Sequence, residues 1–171
     1  WMSVLDNVLL VVPDAVRAQA RPRAVELLCA MELGDVLDAY PGRLSGGMMR
    51  RVALARAFVN EPALLLMDEP FVSLDSPTAN RLRAMLVAQW RRCGASVLSV
   101  PHDLREALAL ADRICFLSPS PGRVVLEFAV DLPRPRDPSG AQLERLHAEL
   151  LARHPELLAG LPALREEAAH D

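Results

Sequence analysis

The segment Ala63-Leu64-Leu65-Leu66-Met67-Asp68-Glu69-Pro70 constrains the chain more than any other. It is a short, unbroken apolar run that stops on two adjacent carboxylates. A run of this length without polar alternation reads as a strand buried on both faces of a parallel sheet. Its surroundings repeat the theme. Ser45 opens a helix running to about Asn60, and Ser76-Pro77 opens another that ends at Gly94. Ser96–Val100 and Ile114–Leu117 are further short strands, separated by a helix from about Asp103 to Ala111. Strands alternating with helices predict an α/β domain built on a parallel sheet. Arg123–Val130 makes one more strand after the Pro121-Gly122 turn.

Upstream, Ser3 is placed to cap a helix carrying Val4, Leu5, Val8, Leu9 and Val12, with Asp6 three residues behind the cap. A second helix is expected from about Arg21, with Pro22 in its first turn, to Gly34. Asp131–Gly140 carries three prolines and no helical period, which reads as a surface linker. The last thirty residues read as amphipathic helix fading into an acidic tail. The expected organisation is residues 1–60 helical, 61–130 an α/β core, and 131–171 a linker with a helical tail.

Composition removes several classes of function. The 171 residues hold 19 basic and 22 acidic side chains, a net charge of −3, so no basic footprint for nucleic acid is present in the totals. All the basic residues are arginine. Without a lysine, the chain contains neither a Schiff-base nucleophile nor the lysine of a phosphate-binding loop. Cys29, Cys93 and Cys115 are scattered, which argues against a disulfide framework or a zinc site and favours reduced, buried core thiols in a cytosolic protein. His147, His154 and His170 are spread along the tail and imply no metal site. No run reaches the roughly 18 apolar residues of a membrane span. The apolar opening lacks a basic leader and contains Asp6, unlike a signal peptide, and a start at Trp1 is what a truncated segment would show.

Chemistry concentrates at three places. In Ser45-Gly46-Gly47, two glycines behind a capping serine leave backbone N–H groups at a helix N-terminus, either a seat for a phosphate oxygen or a plain serine cap after a flexible turn. Asp68 and Glu69 end a strand at the edge where open α/β sheets bind ligands. Successive residues point to opposite faces, so one can face magnesium and the other a water, or both can cap the next turn. His102 follows the strand Ser96–Val100 and sits at the same edge, as a structural or a catalytic histidine. Arg50 and Arg51 read either as a solvated helix face or as aids to nucleotide or dimer contacts.

Taken in order, Leu44–Phe58 (LSGGMMRRVALARAF), Leu64–Asp75 (LLLMDEPFVSLD) and His102 strongly resemble the ATPase subunit of ABC transporters over roughly residues 1–130. The resemblance implies a P-loop NTPase fold, here incomplete: part of the helical subdomain in 1–60 and the core in 61–130. It implies that Ser45, Gly46 and Gly47 form the signature motif contacting the γ-phosphate of ATP held mainly by a second subunit. Asp68 matches the Walker B aspartate that holds Mg²⁺, and Glu69 the general base. Asp75 matches the D-loop residue at the dimer interface, and His102 the switch histidine. Met48 stands where many members have glutamine, and Pro101 where a threonine is usual. The family's Walker A loop and Q-loop would precede Trp1, so this chain alone is expected not to hydrolyse ATP.

Ser118–Val124 and Asp131–Asp137 (DLPRPRD) are similar to the importer branch for nitrate, sulfonates and taurine, and Trp1–Val8 to the segment after its Q-loop. That likeness implies a head-to-tail dimer, a transmembrane permease, an indirect solute-binding partner and a peripheral place on the cytoplasmic face of the inner membrane. Two other readings stay open: a non-hydrolysing remnant that docks and lends its signature motif, and a soluble ABC-type ATPase of DNA repair or translation.

Overall fold

The computed structural model describes residues 1–155. The chain divides into two compact units, residues 1–101 and the residues from His102 onward. The acidic end of the tail, with His170, lies outside the described residues.

In the first unit Ser3 caps α1 (Val4–Leu9) as its sequence predicts. Its Oγ accepts the Asp6 N–H at 3.1 Å and donates to Asp6 Oδ2 at 2.7 Å. Val4, Leu5, Val8 and Leu9 are buried against α2 (Asp14–Ala30) and α3 (Gly46–Phe58). The second helix starts at Asp14 rather than Arg21, so Pro22 lies inside it instead of in its first turn. The Pro13-Asp14 start supplies the reason: Pro13 precedes the first turn, and Asp14 pairs with Arg17 at 2.6 Å. Burial of Ala24, Leu27 and Leu28 offsets the hydrogen bond that Pro22 cannot make. α2 ends before Gly34, where Glu32 turns the chain with φ 56° and the Leu33 N–H returns to the Leu28 carbonyl at 2.8 Å.

Leu28, Met31, Leu33 and Phe58 are shut off from solvent. Each such side chain contributes about 1.5–3 kcal/mol by burial, and Phe58→Ala would cost about 3–5 kcal/mol. α3 matches its predicted span. It leads to β1 (Leu64–Asp68), which pairs in parallel with β2 (Ser96–Val100) from Leu64 opposite Ser96 to Asp68 opposite Val100. Between them runs α4 (Ser76–Cys93), stopped by Gly94 in the left-handed conformation at φ 67°. The expectation that β1 is buried on both faces fails among the described residues. Leu65 is buried, but Leu64 and Leu66 are 54% and 66% exposed, beside Leu98 and Val100 at 62% and 59%. The pleat puts these four on one face, and this two-stranded sheet has its cover only on the other.

The second unit contains α5 (Leu104–Leu110), β3 (Arg113–Leu117), β4 (Val124–Ala129) and α6 (Ala141–Arg153). β3 and β4 pair antiparallel, because the short connection between them cannot make the crossover a parallel pair needs. Leu108, Ala109, Ile114, Val130 and Leu143 form their core. The segment expected to be a surface linker is a strap. The Arg136 guanidinium donates to the carbonyls of Leu108 (3.1 Å), Ala111 (2.5 Å), Val130 (3.0 Å) and Leu132 (2.7 and 2.9 Å). Arg134 meets the Leu110 carbonyl and Asp112. A helix leaves its last carbonyls without intrahelical donors, and these arginines supply them to α5. Burial, with the nearby Arg134 charge, pulls the Arg136 pKa down.

The cysteines are free but not core residues: Cys29 and Cys115 are exposed and Cys93 is half-buried. Cys115 alternates with buried Ile114 along β3, which puts its thiol on the open face. Among the described residues no helix is long and apolar enough to cross a membrane.

Candidate functional site

Ser45 has an extended backbone (φ −69°, ψ 162°), and its Oγ accepts the Met48 N–H at 3.2 Å. The Ser45 carbonyl accepts the Met49 N–H at 2.9 Å. These bonds leave the N–H groups of Gly46 and Gly47 at the positive end of the helix dipole with no intrahelical acceptor. The glycines differ in purpose. A Cβ on Gly46 would meet nothing within 4 Å, so that approach is open. A Cβ on Gly47 would stand 2.9 Å from Thr78 Cγ2, so the absence of a side chain there lets α3 and α4 come together.

Thr78 links this turn to Asp75, the N-cap of α4. Asp75 Oδ1 accepts the Thr78 N–H at 2.9 Å, and Oδ2 accepts the Thr78 hydroxyl at 2.7 Å. The hydroxyl bond first, and the backbone bond second, hold the Asp75 carboxyl below its ordinary pKa. Ser45, Gly46, Gly47, Asp75 and Thr78 line one cleft of about 420 Å³. Arg51 and Arg81 line it as well. Glu32 braces both: Oε2 pairs with Arg51 at 3.0 Å and Oε1 with Arg81 at 2.6 Å, while Arg51 also donates to the Met31 carbonyl at 3.0 Å. Arg51 is therefore a braced lining residue rather than part of a solvated face, whereas Arg50 is exposed. Sequence reasoning missed Thr78, Arg81 and Glu32. The Asp-x-x-Thr spacing of a helix cap was available for Thr78; nothing local signals Glu32 and Arg81, which are brought together by the packing of distant segments.

Asp68 ends β1, exposed, with its carboxylate on the open face of the sheet. Glu69 extends the ladder by one bond, its N–H donating to the Val100 carbonyl at 2.8 Å, and then leaves the strand with φ 42°. Ser73, four residues on, has φ 63°. Left-handed backbone at residues other than glycine costs about 1–2 kcal/mol each, and two such residues bracket the turn that buries Phe71 between the carboxylates and Asp75. Arg83 lies over the Phe71 ring, 5.0 Å from its centroid. His102 begins the second unit with its side chain 48% exposed; its Nδ1 is 3.6 Å from Oε2 of Glu106, which is 2% exposed.

The bare N–H pair, the open Gly46 approach and the two arginines suit a phosphate. No group of three or more His, Cys, Asp or Glu side chains gathers among the described residues. A lone strand-end carboxylate such as Asp68 suits magnesium, which keeps waters and takes one or two carboxylates together with phosphate oxygens.

The family model described as "ABC transporter" matches residues 1–72. The aliphatic sulfonates import ATP-binding protein SsuB of Mycobacterium avium is 52% identical over 139 residues, covering 80% of this chain and 54% of its own length. Over most of its length the chain is similar to the ATPase domain of ABC transporters. SsuB of Yersinia pestis bv. Antiqua is 42% identical over 153 residues, 90% of this chain and 54% of its own length. SsuB of Pseudomonas entomophila is 41% identical, spanning 95% of this chain and 61% of that protein. The chain thus spans little more than half the length of these curated relatives. Among solved structures, the dimeric post-hydrolysis state of the ATP-binding cassette MJ0796 bound to ADP and Pi matches with a TM-score of 0.58 and 28% identity, over 77% of this chain and 58% of that one. The ABC ATPase fold, a P-loop NTPase fold, accounts for the parallel β1–β2 pair, which α4 connects.

Proposed function

We propose that these residues are the C-terminal part of an ATP-binding subunit that energises import of a sulfonate-like solute. The observation that carries the reading is the cleft in which the Ser45-Gly46-Gly47 turn and Asp75 meet beside Arg51 and Arg81. The names of the relatives supply the solute class. In this reading Gly46 and Gly47 donate backbone N–H bonds, and Ser45 its hydroxyl, to the γ-phosphate of a nucleotide held mainly by a second copy. Asp75 faces that second copy from the D-loop position. Asp68 takes Mg²⁺ through water. Glu69 accepts the proton of the attacking water, and His102 contacts the γ-phosphate. Magnesium, when bound, supplies charge neutralisation for phosphoryl transfer, and the residues do the positioning. The partners are a second ATPase subunit and a permease, with the solute-binding protein acting through the permease. The place is peripheral, at the cytoplasmic face of the membrane. The 171 residues alone bind nucleotide weakly and do not turn it over, because no lysine is present to hold the phosphates.

The test is Glu69→Gln in the complete gene product. A general base contributes about 10²–10⁴-fold, so turnover is expected to fall by that factor while ATP binding persists. Hydrolysis at the unmodified rate would remove Glu69 from the role of base.

A further inference from the structure

Glu106 is the one buried ionisable side chain among the described residues, 2% exposed on α5. A carboxylate taken from water is costly unless polar groups meet it. One turn earlier in the chain, His102 stands at the position that faces it, Nδ1 to Oε2 at 3.6 Å. Two other charges at this end of α5 have partners of their own. Asp103 Oδ1 accepts the Arg105 N–H at 2.8 Å, and the Arg105 guanidinium pairs with Glu144 of α6. So a half-exposed imidazole rests one ring nitrogen against a buried acid.

We propose that Glu106 is a positioning residue for His102: its carboxylate selects the imidazole tautomer with the proton on Nδ1 and fixes the ring so that Nε2 faces outward. A neutral imidazole carries one N–H, and the group next to one nitrogen decides which nitrogen that is. With Nδ1–H directed to Glu106, Nε2 accepts a hydrogen bond when the ring is neutral and donates one when it is protonated. The consequence for a γ-phosphate rests on the function proposed above, whereas the tautomer and ring orientation do not.

The experiment is ¹⁵N spectroscopy of the histidine rings in this 171-residue chain, with His102→Asn used to assign the His102 signals. The expected result is a protonated Nδ1 and a pyridine-type Nε2 in neutral His102. Glu106→Met fills the same space without charge, and replacing a buried charge by an apolar isostere is often neutral or stabilising. That variant is expected to keep the fold, by circular dichroism, and to switch His102 to the Nε2–H form. Glu106→Gln, which keeps the shape and offers either an acceptor or a donor, is expected to populate both tautomers. It serves as the second variant if the methionine form does not fold. A wild-type His102 protonated on Nε2, or a ring spectrum unmoved by the variant that folds, would overturn the proposal. Neither result depends on nucleotide binding, so failure of the functional reading would be seen separately.

Discussion

Replacing Arg136 by alanine should destabilise the second unit far more than the loss of one half-exposed side chain suggests. The guanidinium makes five hydrogen bonds to four carbonyls, two of them, Leu108 and Ala111, at the C-terminal end of α5. A hydrogen bond to a charged group is worth about 1.5–3 kcal/mol singly. The five share one cation and do not add, and burial of that cation, visible in its lowered pKa, opposes them. The net loss is about 3–4 kcal/mol, in the range reserved for breaking a buried network. For a unit of this size each kcal/mol moves the melting temperature by about 4–8 °C, so Arg136→Ala should lower it by about 12–32 °C. Thermal melts, with hydrogen exchange at the Ala111 amide that bonds the Ala107 carbonyl, would report it. Arg136→Lys should recover about half or less, since an ammonium lacks the planar fork. A drop below about 5 °C, with Ala111 exchange unchanged, would refute the strap. The functional consequence follows from α5, which holds Glu106 beneath His102; a frayed α5 loosens that pair.

Gly47→Ala should cost about 1–3 kcal/mol through its clash with Thr78 Cγ2, and Thr78→Ser, which removes that methyl and keeps the hydroxyl, should relieve much of the cost in a double-mutant cycle. Gly46→Ala, with nothing near its Cβ, should be neutral or slightly stabilising in the same assay. The Asp75 carboxyl is held below its ordinary value by Thr78, so its contribution is complete above the usual aspartate range, about 3.9, and is lost as pH falls through the depressed value. The melting difference between wild type and Asp75→Asn should therefore shrink on acidification below about pH 4; a constant difference would contradict the Thr78 bond.

The sequence was informative where a local rule and the packing agreed. Ser3, Ser45 and Gly94 mark helix ends through their own backbone and side-chain chemistry, and each lies where expected. β1 was placed correctly because its apolar run is bounded by Pro62 and by Asp68-Glu69, but its burial was not, since that depends on what covers the sheet. Pro22 misled, because a proline rule without tertiary context prefers a helix start, and packing of Leu27 and Leu28 overrode it. Arg134 and Arg136 read as solvated because the prolines around them say loop; the carbonyls they reach at the end of α5 lie more than twenty residues away. At the site, Ser45, Gly46, Gly47 and Asp75 were legible through motif and cap chemistry. Thr78 as the piece between them, and Glu106 under His102, required the fold.

In the proposed function the Ser45-Gly46-Gly47 turn serves a nucleotide held by another copy. It is tested by mixing two forms of the complete gene product, one carrying Gly46→Asp and the other Glu69→Gln, each inactive alone. If the sites are shared between copies, the mixed dimer has one site with both lesions and one with neither, and ATP hydrolysis returns on mixing. If mixing restores nothing while the two forms still associate, the turn acts within its own subunit or not at all, which contradicts a site shared between copies.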